Sequence, residues 1–430
     1  MPVGPPVRSG RPASRPLRLI RPYDWLTMST YLDHAATTPL LDCARDAMVG
    51  ALGHTGNASS LHRAGRASRR RVEESREVIA GALGVTPSEI IFTAGGTEAD
   101  NLAVKGLWWA RTARDPGRRR VLAARIEHHA VLDPVHWLGQ HEGAELVWLD
   151  VDARGRVDPE QVRAEVADHP GQTALVAVMW ANNEVGTVQP IAEVARVCAD
   201  AGVPLHVDGV QAVGSIPVDA RLPDTMAISA HKLGGPLGVG ALIARRGLEL
   251  TPLTHGGGQE RQVRSGTLDV PSVVGFAAAV DHVLSDLAEQ SIRIAGLRDT
   301  LIAEVMAVDP EAILNGALGG PDERLPGNVH MSFPGCESDA LLMLLDAAGV
   351  EVSTGSACTA GVPEPSHVLL AMGVDPVRAR SSLRFSLGRS STRADVAALV
   401  AALPAVLDRA RRAGQVRVSA QMAAAVREGG

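Results

Sequence analysis

Between residues 89 and 244, seven short apolar runs bounded by turn residues alternate with segments whose apolar positions recur at helical spacing. The runs are Glu89–Thr93, Val121–Ala124, Leu146–Leu149, Ala174–Trp180, Leu205–Asp208, Met226–Ser229 and Val239–Ala244. Between most of them lie the helical patterns Glu98–Ala113, Ala130–His141, Pro159–Val166 and Ile191–Ala201. Strands that are apolar throughout must be covered on both faces, and alternation with helices supplies that cover. The pattern therefore predicts an α/β layer fold with a mainly parallel seven-stranded sheet. Two further helices, Asp42–Leu52 and Ser59–Leu83, precede it. From about residue 290 the alternation stops. Long helical stretches at Leu287–Ala307 and Thr392–Ala413 flank the shorter strand candidates Asn328–Phe333, Val350–Ser353 and Ser382–Leu387, which reads as a smaller α+β domain.

Open α/β sheets bind ligands beyond the carboxyl ends of their strands, and the polar clusters of this chain fall there. Gly95-Gly96-Thr97 ends one run and opens a helix, a setting that attracts an anion. Glu127-His128-His129 follows the next run. The paired histidines lack a third ligand at zinc spacing, so His128 reads as a flat ring stacked on another ring, or as a turn residue. Asn182-Asn183-Glu184 closes another run. Asp208 ends a fourth, where a buried carboxylate needs a cation or donors to stay ionised.

The amine inventory narrows the chemistry. Of 42 basic residues of Lys plus Arg, only Lys105 and Lys232 are lysines. Arginine stays protonated and forms no Schiff base. Lys105 lies in the apolar-periodic stretch Leu102-Ala-Val-Lys-Gly-Leu-Trp108 and reads as a snorkelling helix residue. Lys232 sits in Ser229-Ala-His-Lys-Leu-Gly-Gly235, a Gly-rich turn after a strand. A lysine, an aspartate two dozen residues before it, an anion turn and a stacking histidine together match the needs of pyridoxal 5'-phosphate. Lys232 bonds the aldehyde carbon, Asp208 holds the ring nitrogen protonated, and the Thr97 turn takes the phosphate.

The rest of the composition removes other classes. A net charge of −6 gives no basic footprint for nucleic acid. No apolar run approaches the ~18 residues that span a bilayer. Cys43, Cys198, Cys336 and Cys358 lack the spacing of a disulfide framework or zinc site, so no resident metal and a cytoplasmic location are expected. Residues 1–27, Pro- and Arg-rich, read as a disordered extension ahead of Met28.

Eight motifs in this order resemble the cysteine desulfurase family, fold-type I enzymes of the class-V aminotransferase kind. They are Tyr31-Leu-Asp-His-Ala-Ala-Thr-Thr-Pro39, Thr97-Glu-Ala-Asp-Asn101, Glu127-His128, Asn182-Asn183-Glu-Val-Gly186, His206-Val-Asp208 with Gln211, His231-Lys232, Arg264-Ser-Gly-Thr267 and Ser356-Ala-Cys358-Thr359. The resemblance covers about Tyr31 to Ala413. It implies that His128 stacks on the pyridine ring and assists catalysis, and that Gln211 meets the phenolic oxygen. It puts Thr97, Ser229 and His231 at the phosphate, with Thr267 reaching in from a neighbouring subunit of a homodimer. Asn183, beside the cofactor, and Arg384 are to hold the carboxylate of L-cysteine. Three departures stand out: Ala58 where the family commonly has proline, Gly234 and Leu237 after the lysine, and Gly209-Val210 between Asp208 and Gln211. None removes a chemical group from the site.

Cys358 lies in a stretch of small residues that does not read as core, and the resemblance makes it the nucleophile that takes the sulfur as a persulfide, leaving L-alanine. It is also the residue expected to touch a nascent iron–sulfur cluster in passing. Sulfur acceptors such as an iron–sulfur scaffold or a tRNA thiouridylase are the implied partners, with no direct nucleic-acid or membrane contact. Cys198 and Cys43 read as packing residues and Cys336 as a residue of an exposed Pro-Gly turn. The expected layout is an extension over 1–27, an N-terminal segment over 28–45 packing with the small domain, a large cofactor domain over 46–290, a small domain with the cysteine loop over 291–415, and a tail over 416–430. Other fold-type I enzymes, such as an aminotransferase, a selenocysteine lyase or an isopenicillin-N epimerase-like protein, would share Lys232 and Asp208 without needing Cys358. A non-enzymatic assembly scaffold would need neither.

Overall fold

The computed structural model describes residues 29–320, 322–355 and 365–428, with side chains to residue 413. The extension over 1–27 and Cys358 lie outside the described residues.

Seven strands form one sheet: β2 (Ile90–Thr93), β3 (Arg120–Ala124), β4 (Glu145–Leu149), β5 (Thr173–Ala177), β6 (Leu205–Asp208), β7 (Thr225–Ser229) and β8 (Gly240–Ala244). Their spatial order is β2-β8-β7-β6-β5-β3-β4. The pairs from β7 through β6, β5 and β3 to β4 are parallel, while β8 runs antiparallel to β7 and β2. This is the mainly parallel seven-stranded sheet that the apolar runs predict. The carboxyl ends of β3, β5, β6 and β7 therefore lie along one edge, which gathers the polar clusters that follow them. The run expected to reach Trp180 ends as a strand at Ala177, although Val178 N and Trp180 N still donate to His206 O and Asp208 O of β6, at 3.1 and 2.8 Å.

Helices α1 (Asp42–Leu52), α2 (Arg63–Leu83), α3 (Gly96–Arg114), α4 (His129–His141), α5 (Pro159–Asp168) and α6 (Ile191–Ala201) cover this sheet, joined by α7 (Val270–Ser285). α2 starts four residues later than the periodicity suggests, because the His62 ring caps it by accepting from Gly65 N at 3.2 Å. Gly84 in left-handed conformation ends it. α7 is absent from the sequence reading. Its residues are apolar nearly all round, with Val273, Phe276, Ala277 and Val280 buried among α1 and α2. Its less-buried stripe, Val274, Ala278, Asp281 and Ser285, is apolar over the first half, so a polar face shows only near the C-terminal end.

The last third of the chain builds a second core. Strands β9 (Ile313–Leu314), β10 (Asn328–Ser332) and β12 (Ser382–Ser386) form an antiparallel sheet, and β1 (Thr30–Tyr31) pairs in parallel with β11 (Val350–Glu351). Helices α8 (Leu287–Val308), α9 (Ser338–Ala347), α10 (His367–Ala371), α11 (Pro376–Ala379) and α12 (Arg393–Glu428) complete it. Leu32, Leu301, Phe333, Leu345, Phe385 and Leu403 are buried together, with Phe333 edge-on to Phe385 at 6.3 Å. Leu32 of the N-terminal segment thus belongs to a core made otherwise of residues past 290. No single helix among the described residues is long and apolar enough to cross a membrane.

Two cysteine readings are corrected. Cys43 is exposed, because α1 turns Ala44 and Ala51 inward instead. Cys336 is buried, because its turn is held against α12 by Arg411, whose Nε donates to Pro334 O at 3.2 Å. Burial pushes the Cys336 thiol up to about 11. Cys198 is buried as its helix face predicts.

Candidate active site

The turn after β7 is a short 3-10 helix, Ala230–Lys232, clasped by the segment that runs from Ala35 to Thr38. Thr38 N and Oγ1 both donate to His231 O, at 3.0 and 2.7 Å, and Thr38 Oγ1 accepts from Gly234 N. Thr37 Oγ1 lies 3.1 Å from His231 Nδ1. Lys232 Nζ donates to Ala35 O at 2.5 Å and to Ala36 O at 2.7 Å, and Gln211 Nε2 shares the Ala35 carbonyl at 3.0 Å. Burial and the Arg384 guanidinium lower the Lys232 pKa to about 8, against the opposing pull of Asp208 and Asp33. An amine so depressed is a usable nucleophile and base near neutral pH. Lys232 and Gln211 also line a cavity of about 340 Å³, together with Ala35, Thr38, Asn328 and Ser386.

Asp208 is buried at the end of β6, where its Oδ1 accepts from Val210 N at 2.9 Å. Burial raises its pKa, while the neighbouring His128 and Lys232 favour the carboxylate. A cation beside it would settle the charge. His128 caps α4, its Nδ1 accepting from Ala130 N at 3.1 Å, which places any ring proton of the neutral form on Nε2. The crowding that strips water from this ring lowers its pKa, against the pull of Asp208.

The start of α3 is shaped for an anion. No side chain caps it, Gly95 takes a φ of 155° open only to glycine, and Thr97 is exposed in the first turn. A Cβ on Gly96 would stand 2.8 Å from Val210 Cγ2 and 3.5 Å from Ser229 Cβ, so the ends of β6 and β7 crowd this terminus. Ser229 is buried there and His231 half-buried. These three groups, a free helix terminus, a buried carboxylate and a depressed amine, fit the phosphate, ring nitrogen and aldehyde carbon of pyridoxal phosphate.

Arg384, on β12, is buried with its Nη2 donating to Asp33 Oδ1 at 2.8 Å and its Nη1 to Asn183 O at 3.1 Å. Its Nε has no partner among the described residues. An orphaned guanidinium N–H beside the lysine suits a carboxylate. The described residues on either side of Cys358 are tied close by: Ser353 pairs with Arg384 through its backbone, and Ser366 Oγ donates to Glu184 Oε2 at 2.5 Å. Thr267 stands apart from this group, exposed on a loop joined to the first turn of α3 by the Arg264–Glu98 ion pair. Lys105 Nζ lies 4.1 Å over the Trp137 ring, in a pocket that it lines with Thr97 and His128.

The sequence reading missed Asp33, the Ala35 and Ala36 carbonyls and Thr38, although all lie in the motif from Tyr31 to Pro39. It also missed the pair formed by Asp100 Oδ1 and His206 Nε2 at 3.1 Å. Each of the two stands out as an ionisable residue in an otherwise apolar core stretch, but nothing local shows that they meet.

The profile of the Aminotransferase class-V family matches residues 30–399. The chain is 56% identical over 385 residues to the IscS-like cysteine desulfurase of Mycobacterium tuberculosis, covering 89% of this chain and 97% of that one. It is 41% identical over 384 residues to the cysteine desulfurase IscS of Dictyoglomus turgidum, covering 89% and 95%. Among solved structures, a NifS-like protein superposes with a TM-score of 0.81 at 35% identity, covering 89% of this chain and 100% of its own. DndA from Streptomyces lividans does so at 0.70 and 38%, covering 83% and 99%. A match of this breadth, on a chain whose lysine, aspartate and helix terminus fit the same cofactor, has one meaning: the chain belongs to the pyridoxal-phosphate-dependent class-V aminotransferase family, among its cysteine desulfurases.

Proposed function

We propose that the protein converts L-cysteine to L-alanine and keeps the sulfur as a persulfide on Cys358. The observation that carries this reading is Lys232, a crowded amine with a pKa near 8, set among Asp208, Arg384 and the Ala35 carbonyl. The bound cofactor supplies an electron sink for the amino acid. Everything else falls to the chain. Asp208 faces the ring nitrogen as a carboxylate, and Thr97, Ser229 and His231 hold the phosphate. His128 covers the ring, and Gln211 meets its phenolic oxygen. Arg384, already held by Asp33 and Asn183, receives the substrate carboxylate on its free Nε and, with Asn183, fixes the orientation of Cα. The free amine of Lys232 takes the Cα proton at Nζ. The Cys358 thiolate then attacks the substrate sulfur. The Cβ–S bond breaks, an S–S bond forms, and protonation of the carbon skeleton gives alanine.

The attachment of Ser353 to Arg384 and of Ser366 to Glu184 supports Cys358 as the acceptor, because it fixes both flanks of that residue at the substrate group. The chain would divide at about residue 290 into the cofactor domain and the domain that carries Cys358, after an N-terminal segment over 28–45. One surface feature supports a homodimer: Thr267 is exposed on a loop rather than turned into its own site. Delivery of sulfur to iron–sulfur assembly or tRNA thiolation proteins in the cytoplasm completes the reading.

The deciding experiment is Cys358→Ser. Incubated with L-cysteine, the parent protein should release alanine and gain one sulfur by mass spectrometry of the Cys358 peptide. The variant should keep the cofactor absorbance and lose both products. Sustained desulfuration by the variant would remove Cys358 from the reaction.

A further inference from the structure

His206 is completely enclosed, in the middle of β6 and two residues before Asp208, so the two side chains leave the same face of the strand. Its Nε2 lies 3.1 Å from Asp100 Oδ1 and its Nδ1 lies 3.0 Å from Thr225 Oγ1. Asp100 is 1% exposed and Thr225 is fully buried. Three polar side chains buried in a sheet core are tolerated only because they satisfy one another, and no step of the proposed reaction uses them.

Their positions in the chain are informative. Asp100 lies one turn after Thr97 on α3, the helix whose terminus faces the phosphate. His206 lies on the strand that ends at Asp208. Thr225 opens β7, which ends at Ser229 and leads into Lys232. One imidazole thus joins the three elements that carry the phosphate, ring-nitrogen and aldehyde anchors.

We infer that Asp100, His206 and Thr225 are positioning residues that hold α3, β6 and β7 in register, so that Thr97, Asp208 and Lys232 are spaced to receive the cofactor together. An apolar trio of similar volume would fill the space but allow the helix to slide along the sheet; directional hydrogen bonds do not. Burial holds the Asp100 carboxyl well above its usual range and brings His206 down to about 3, so burial disfavours the charged form of each. Glu127, which also faces Asp208, is raised by burial in the same way.

The inference rests on the reading that Thr97, Asp208 and Lys232 hold the cofactor, and its test separates the two. The dissociation constant of pyridoxal phosphate is measured on the full chain by absorbance titration for Asp100→Ala, Asp100→Asn, Thr225→Val and Asp208→Asn. The KM for L-cysteine is measured at saturating cofactor. Losing a buried hydrogen bond that sets anchor spacing should weaken cofactor binding about ten- to a hundredfold in Asp100→Ala. Asp100→Asn, which keeps a donor and an acceptor, should stay close to the parent, and the KM should not move. Thr225→Val should follow Asp100→Ala in direction, and it decides the matter if Asp100→Ala does not fold. Unchanged cofactor affinity in Thr225→Val and in any folded Asp100→Ala overturns the inference, even where thermal stability falls. So does equal weakening in Asp100→Asn and Asp100→Ala. If Asp208→Asn also binds cofactor like the parent, the reading of the site itself has failed.

Discussion

At the scale of single residues, the site depends on shifting ordinary side chains away from their ordinary chemistry. A lysine at its usual pKa of 10.5 would have roughly three amines in ten thousand unprotonated at neutral pH; at about 8, roughly a tenth are free. The sign is set by burial and Arg384, which disfavour the ammonium more than Asp208 and Asp33 favour it. Capture of pyridoxal phosphate by the cofactor-free protein should therefore accelerate with pH up to about 8 and then level off. Stopped-flow absorbance across that range checks it. A rate still climbing beyond pH of about 10 would mean that Lys232 is not depressed at all.

At the scale of elements, α7 shows how packing overrides local pattern. Phe276 has no exposed surface and sits among α1, α2 and the sheet. Phe276→Ala should cost about 3–5 kcal/mol in the cofactor-free protein, read as a lower midpoint in urea. A loss below about 1 kcal/mol would mean that the helix can close the cavity. The strands were legible in the sequence because parallel strands are apolar throughout, and the polar groups at their ends were legible because they interrupt those runs. α7 was not, since its outward stripe is apolar at Val274 and Ala278 and turns polar only at Asp281. The partners of the site residues were not legible either. Asp33 meets Arg384 across 351 positions and Asp100 meets His206 across 106, so no local spacing announces them. Cys43 and Cys336 were misread for a related reason: exposure is decided by what packs against a turn or helix face, which a single stretch of sequence does not contain.

At the scale of the whole molecule, the proposed sharing of sites between subunits makes a complementation prediction. A Lys232→Ala chain and a Thr267→Ala chain, each impaired alone, should recover activity when refolded together, because every mixed pair, half of all pairs formed, carries one site with both groups intact. Random pairing gives about a quarter of the parent rate. Recovery no greater than the mean of the two separate preparations would place Thr267 in its own subunit's site or in none. The clasp around Lys232 has a different consequence, concerning the time of synthesis. Residues 30–38 are synthesised more than 300 positions ahead of β11 and Arg384, yet β1 pairs with β11 and Asp33 pairs with Arg384. The seven-stranded sheet can form while synthesis continues, but the segment that grips Lys232 waits for the final strands before its own seat exists. The nascent chain therefore carries Lys232 without its clasp until β11 and β12 have emerged.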